Sequence, residues 1–263
     1  MKDALVDTHC HLTLGKLAPD VDGALDRARA AGVDRILAVG INASDCRSVV
    51  ELVERRPGLY AILGIHPNET AKASEDDWQT VRELAGRPEV VAVGETGLDL
   101  YWDDSPFDVQ RDWLERHVEL ALELDKPLVL HIRDAYAQCT ELLEQHAERG
   151  LRGVVHCFAG EEDEVAPFVE WGWPVSFSGI LTYSRAENVR AAARRTPLEQ
   201  CLVETDAPYL APRPRGGTNE PAFVVETARR LAEVKDVSFE ELARRTTANA
   251  ERVFALEPRE EAA

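Results

Sequence analysis

The 263-residue sequence is poor in lysine, methionine and aromatic side chains, and it holds no long apolar run. Lysine stands only at positions 2, 16, 72, 126 and 235, methionine occurs once, and Phe, Trp and Tyr make up 6% of the residues. Acidic residues outnumber basic ones 48 to 30, which gives a formal net charge of −18. Such a surface repels polyphosphate at long range. A broad nucleic-acid-coating protein is therefore excluded, and any phosphate substrate has to be held locally, by metal ions or a few arginines. No apolar stretch approaches the roughly 20 residues of a membrane span. The acidic opening Met1-Lys2-Asp3-Ala4-Leu5-Val6-Asp7 lacks the basic and then apolar regions of a secretory signal. The expectation is a cytoplasmic protein, with no membrane association and no stable protein partner inferred. Five cysteines, Cys10, Cys46, Cys139, Cys157 and Cys201, are odd in number, widely spaced and free of any Cys-x-x-Cys pair, which reads as reduced thiols.

What is present is ordinary globular material, 44% hydrophobic and 30% charged, enough for a sizeable core without staples. Eight short apolar runs recur along the chain: 4–6, 35–39, 59–65, 90–93, 128–132, 153–155, 174–177 and 201–203. Longer amphipathic segments separate them, the rhythm of βαβ units. Ser44 is expected to cap a helix over 45–55, Ser74 one over 75–85, and Ser105 with Pro106 to open a third. Val109, Trp113, Leu114, Val118, Ala121, Leu122 and Leu124 form an apolar stripe over 109–125, as on a helix packed against a sheet. Eight strands apolar on both faces predict a (β/α)₈ TIM barrel, favoured over a doubly wound open sheet. Residues 1–256 are read as one barrel domain and 257–263 as a polar, disordered tail.

In such a barrel the site is built at the C-terminal ends of the strands, and polar groups gather there. His9 and His11 follow the first run, His66 the third and Glu95 the fourth. His131 ends the fifth, His156 follows the sixth and Asp206 the eighth. Five of the seven histidines thus sit at strand ends, while His117 and His146 fall in charged helical stretches. Alternate residues of a strand share a face, so His9 and His11 can reach one ion while Cys10 faces away. Alone, a His-x-His pair is more often solvated, an isolated buried histidine is more often a satisfied core residue, and Glu95 would pass for a helix cap; the company of the others reverses each reading. Imidazole and carboxylate together suit zinc, manganese, iron, cobalt or nickel better than calcium. Two such ions roughly 3.5–4 Å apart would share a water, lower its pKa and support ester hydrolysis.

The motifs DTHCHL (7–12), GIHP (64–67), VGETGLD (93–99), PLVLHIRDA (127–135), HCFAG (156–160), SFSGILTY (176–183), ETDAPYLAP (204–212) and RGGTNEP (215–221) together resemble the TatD family of metal-dependent hydrolases. These are barrel enzymes related to the amidohydrolases and described as deoxyribonucleases or exonucleases, and the resemblance spans nearly the whole chain. It implies two divalent metal ions (Zn, Mn or Mg), one on His9 and His11 and the other on His131 and His156. Glu95 would bridge them, and Asp206 would ligate and accept a proton from water. It also implies His66 beside a substrate phosphate, and places Arg133 and the loop 215–221 where a nucleotide could be contacted, although an arginine that merely holds its loop is as good a reading. Asn68, Thr96 and Ser184 depart from the common pattern, near the substrate rather than at the ligands. The amide-cleaving amidohydrolases often bridge their metals with a carboxylated lysine. Here the bridging position is Glu95, and Lys126 precedes its strand.

The leading expectation is a two-metal phosphodiesterase that trims DNA ends or single-stranded DNA, since an exonuclease needs to hold only a few nucleotides. The alternatives are a hydrolase of another ester, such as aminoacyl-tRNA or a small phosphoester, and a non-catalytic metal-binding scaffold. The cysteine reading has a direct check. Alkylation of the denatured, unreduced protein should add five carbamidomethyl groups by intact mass, and a smaller number would reveal a disulfide.

Overall fold

The alternation of β-branched runs with amphipathic segments yields a complete (β/α)₈ order in the computed structural model, which describes residues 4–257. Strands β1 (Leu5–Cys10), β2 (Val33–Gly40), β3 (Leu59–Leu63), β4 (Val90–Asp99), β5 (Leu128–Arg133), β6 (Gly153–Val155), β7 (Val175–Phe177) and β8 (Cys201–Val203) pair in parallel in chain order. That order, with no switch point, excludes the doubly wound alternative. The ring comes round where Cys10 bridges Ala207, with His11 N–H donating to the Ala207 carbonyl (2.8 Å) and Asp206 N–H to that of His9 (2.9 Å). Helices α1 (Val21–Ala31), α2 (Ala43–Val53), α3 (Glu75–Ala85), α4 (Phe107–Leu124), α5 (Tyr136–Glu148), α6 (Ala166–Glu170), α7 (Glu187–Arg195) and α8 (Val224–Lys235) alternate with the strands, and α9 (Phe239–Phe254) follows.

Both faces of the strands are buried, as their composition requires. Val6, Leu37, Val39, Ile62, Ala92, Val129, Val154 and Leu202 fill the barrel from every strand but β7. There, Ser176 instead lies 3.2 Å from the Thr8 hydroxyl. Ala250, Val253 and Phe254 of α9, with Leu256, pack onto this inner cluster. Arg35 ties the helix down through Glu251 (2.8 Å) and the Glu257 carbonyl (3.1 Å). Glu257 is thus held rather than part of a free tail; residues 258–263 of that expected tail lie outside the described residues.

The helix starts correct the reading in two places. Asn42, not Ser44, caps α2 by accepting from Asp45 N–H (3.0 Å), because its extended backbone already turns the chain into the helix. Ser105 is buried and accepts from Ala71 N–H (3.0 Å), which leaves Pro106 as the uncapped entry to α4. Ser74 caps α3 as expected, in a reciprocal capping box with Asp77. β4 is longer than its apolar run, so Glu95 lies inside the strand.

His117 is a structural residue despite its charged neighbours. Fully buried in α4, it donates from Nδ1 to the Trp113 carbonyl (2.7 Å) and accepts Ile65 N–H at Nε2 (3.0 Å). Burial pushes its pKa down to about 4 and keeps the ring neutral. It thereby anchors the backbone immediately before His66. His117→Leu should cost about 1–3 kcal/mol by stranding the Ile65 N–H. The expected readout is a lower urea midpoint at unchanged slope, and a wild-type midpoint would show that the bond contributes nothing.

Candidate metal centre and active site

Glu95 reaches the barrel mouth because β4 bulges there. Gly94 pairs with Val129 and Thr96 with Leu130, so Glu95 is the extra residue of the strand, a device that re-aims a side chain beside a site. Two residues on, the backbone passes so close to β5 that a Cβ on Gly97 (φ +146°) would lie 1.9 Å from the His131 carbonyl oxygen. A similar irregularity between Asp7 and Cys10 in the β1–β2 register accompanies His9.

The two oxygens of the buried Glu95 carboxylate face two different sets of rings. Oε2 lies 3.2 Å from His9 Nε2 and 3.7 Å from His11 Nε2. Oε1 lies 2.9 Å from His131 Nδ1, 2.9 Å from His156 Nε2 and 3.5 Å from His66 Nε2. Asp206 completes the first set, with Oδ1 3.3 Å from His11 Nε2 and 4.0 Å from His9 Nε2. The structure therefore brings all six expected ligands and His66 into one cluster. Three overlapping groups have ligand atoms close enough for an ion: His9–His11–Asp206, His9–Glu95–His156 and His66–Glu95–His131.

The donor set fits a divalent cation. His9 Nδ1 and Nε2, His11 Nδ1 and Glu95 Oε2 are all buried without a hydrogen-bond partner, and orphaned groups of this kind cost about 1–3 kcal/mol each unless something else satisfies them. Burial alone would raise the carboxyl pKa of Glu95, but the surrounding imidazoles, His156 foremost, hold it well below its ordinary value. Burial likewise works against ionised Asp206, and the His11 hydrogen bond outweighs it. For His156 the Glu95 and Glu204 carboxylates override burial and raise the imidazole pKa well above normal.

Two carboxylates in the cluster were not singled out from the sequence. Asp99 Oδ2 accepts from His131 Nε2 (3.0 Å), and Glu204 Oε1 accepts from His156 Nδ1 (3.1 Å). Each occupies the ring nitrogen pointing away from Glu95, fixes the tautomer, and leaves the other nitrogen's lone pair directed at the centre. Both belong to motifs already visible, GLD and ETD; an acid in a buried strand end was the available signal. A third buried acid, Asp7, accepts from Thr205 N–H (2.9 Å) and hydroxyl (2.6 Å), and burial pushes it up to about 8. It ties β1 to the segment that carries Asp206.

His66 differs from the other rings. Its Nδ1 accepts Asn68 N–H (3.1 Å), and burial drops its pKa to about 3, so it is neutral. The proton then sits on Nε2, which makes that atom a donor and unsuited to ligation despite its distance from Glu95. Arg133 lines the cavity rim. The loop 215–221 is not in the lining, which stops at Leu210. Arg215 pairs with Glu226 (2.8 Å), and Asn219 donates to the Thr205 and Tyr209 carbonyls (2.8 and 2.6 Å), so this loop supports the site from behind. Of the three departures, Asn68 donates weakly to Asp99 (3.4 Å), Thr96 is buried in β4, and the Ser184 carbonyl accepts from Arg190. Lys126 donates to the Ala85 and Arg87 carbonyls, away from the cavity.

A (β/α)₈ barrel with an imidazole–carboxylate cluster at the C-terminal ends of its strands defines a metal-dependent hydrolase. Residues 6–255 match the family described as TatD related DNase. YcfH of Escherichia coli K12, described as an uncharacterized metal-dependent hydrolase, is 39% identical over 96% of this chain and 96% of its own. The TatD protein of Pantoea vagans, described as a 3'-5' ssDNA/RNA exonuclease, is 35% identical over 96% of this chain and all of its own. The crystal structure of YJJV, a TatD homologue from E. coli K12, superposes with a TM-score of 0.91 at 32% identity, covering 96% of this chain and 98% of that one. The chain belongs to the TatD family.

The outer carboxylates generate a specific expectation. Asp99→Asn and Glu204→Gln should each weaken metal retention by about 10- to 100-fold, measured by chelator competition, whereas His66→Ala should leave metal content unchanged. Loss of metal from His66→Ala would make that ring a ligand and overturn the tautomer argument.

Proposed function

We propose that the protein is a two-metal phosphodiesterase that shortens single-stranded DNA from an end, with residues 1–256 acting as one catalytic unit. The observation that carries this reading is the division of the Glu95 oxygens between two sets of rings. On it, His9 and His11 would hold one ion and His131 and His156 the other, with Glu95 shared between them and Asp206 as a further ligand. When bound, the two divalent cations, zinc, manganese or magnesium, would supply Lewis acidity to the phosphoryl group and to water. The protein's own groups do the rest. Asp206, kept ionised beside His11, accepts a proton from the attacking water, neutral His66 donates from Nε2 to a phosphate oxygen, and Arg133 meets the chain at the rim. The exonuclease named among the relatives supports the substrate class.

The cavity has a volume of about 1040 Å³, just above the range for drug-sized ligands, roughly 300–1,000 Å³. That suits a chain end better than a duplex. One observation favours a second reading, hydrolysis of another ester with fewer charges, such as a small phosphoester: Glu69, Asp134, Glu161 and Glu164 line the cavity, Arg133 is its one arginine and no lysine lines it among the described residues. Both readings share the metal centre and differ in what lies beyond it.

Metal-stripped protein incubated with end-labelled single-stranded DNA should be inert. Restored Mg²⁺, Mn²⁺ or Zn²⁺ should give stepwise shortening, and Asp206→Ala should abolish it while far-UV circular dichroism stays native. Intact DNA with every metal, alongside cleavage of a small ester, would replace the nuclease reading by the second one.

A further inference from the structure

Large hydrophobic side chains are rarely exposed on this protein, and where they are they gather at the cavity mouth. Among the described residues the exposed ones are Leu100 (40%), Tyr101 (54%), Trp102 (51%) and Tyr209 (53%), of which Tyr101, Trp102 and Tyr209 line the cavity. Tyr101 and Trp102 meet edge to face, with ring centroids 4.9 Å apart and planes at 86°. The Arg133 guanidinium lies over the Tyr101 ring at 3.9 Å and 6.0 Å from that of Trp102, and none of its nitrogens pairs with a carboxylate among the described residues.

The backbone beneath these rings is fixed to the metal centre. Asp99 Oδ1 accepts both Tyr101 N–H (2.9 Å) and Trp102 N–H (3.1 Å), while Oδ2 of the same carboxylate accepts from His131. Leu100 N–H donates to the Arg133 carbonyl (2.9 Å), closing the turn against β5. Two half-exposed aromatic faces, held in place beside an unpaired guanidinium at the rim of a phosphodiesterase site, have the composition that grips unstacked bases: π-faces for the base and a cation for the adjoining phosphate. In a cavity whose lining holds several acids and one arginine, stacking also supplies affinity that the surface charge cannot.

We propose that Tyr101 and Trp102 form a stacking ledge for a nucleobase of a single-stranded substrate, with Arg133 meeting the neighbouring phosphate. The inference rests on the nuclease reading and adds to it how the chain is held. Stacking is indifferent to base identity, so the ledge selects unpaired strands rather than a sequence.

The test is binding, followed by fluorescence anisotropy, of a labelled phosphorothioate oligothymidylate to the metal-loaded protein, against an oligomer of abasic tetrahydrofuran units. Wild type should bind the base-bearing oligomer more tightly. Trp102→Ala should weaken that binding about tenfold and the abasic oligomer's by under about twofold, with Trp102→Phe retaining most of the affinity. Equal losses on both oligomers, no loss on either, or no binding by wild type would each overturn the ledge. Shortening of unmodified single-stranded DNA by wild type, run in parallel, separates the two ideas. Base-dependent binding without shortening keeps the ledge and removes the nuclease; shortening with binding indifferent to Trp102 does the reverse.

Discussion

The site depends on one buried carboxylate. A charge as enclosed as that of Glu95 is expensive unless positive or hydrogen-bond-donating groups compensate it, and the barrel sets imidazoles on both sides of it, with His9 and His11 near one oxygen and His131, His156 and His66 near the other. The β4 bulge aims the side chain, and the glycines flanking it let β4 lie against β5. A straight strand would turn Glu95 toward the helices and leave five imidazoles with nothing to share.

Much of this was legible in the residues because the relevant signals are local. The eight apolar runs became the eight strands, since a strand buried on both faces has no polar alternative and an amphipathic segment following it has one apolar stripe to hide. The strand-end histidines and acids converged for the same reason: parallel strands all deliver their C-terminal ends to one face. Cap positions were less legible. Asn42 and Ser44 are both competent caps, and the choice between them is made by where β2 ends. The role of His117 was not legible, because its helical stretch is charged and its partner, the Ile65 amide, is 52 residues away in sequence.

The carboxylates behind the rings that face Glu95 were hidden by a different cause. Asp99 and Glu204 act through tautomers, and a tautomer is set by which ring nitrogen finds a partner, a question of angle that no spacing encodes. Asp99 serves two masters, one oxygen on His131 and the other on the turn bearing Tyr101 and Trp102. The chemistry of the centre and the shape of the cavity rim are therefore coupled through a single side chain.

The position of α9 bears on how the molecule is made. Its last turn fills the barrel floor, Thr247 donates to the Ala4 carbonyl, and Arg35 at the start of β2 is neutralised by Glu251. Strands synthesised first thus wait for a helix near the end of the chain before their inner faces are covered. At an elongation rate of about 5–20 residues per second that delay is on the order of tens of seconds, during which the valines and leucines of β1 to β4 lack the cover that α9 supplies. Closure of such a barrel therefore waits on α9, because the contacts that complete it are as distant in sequence as Thr247 from Ala4, 243 residues apart.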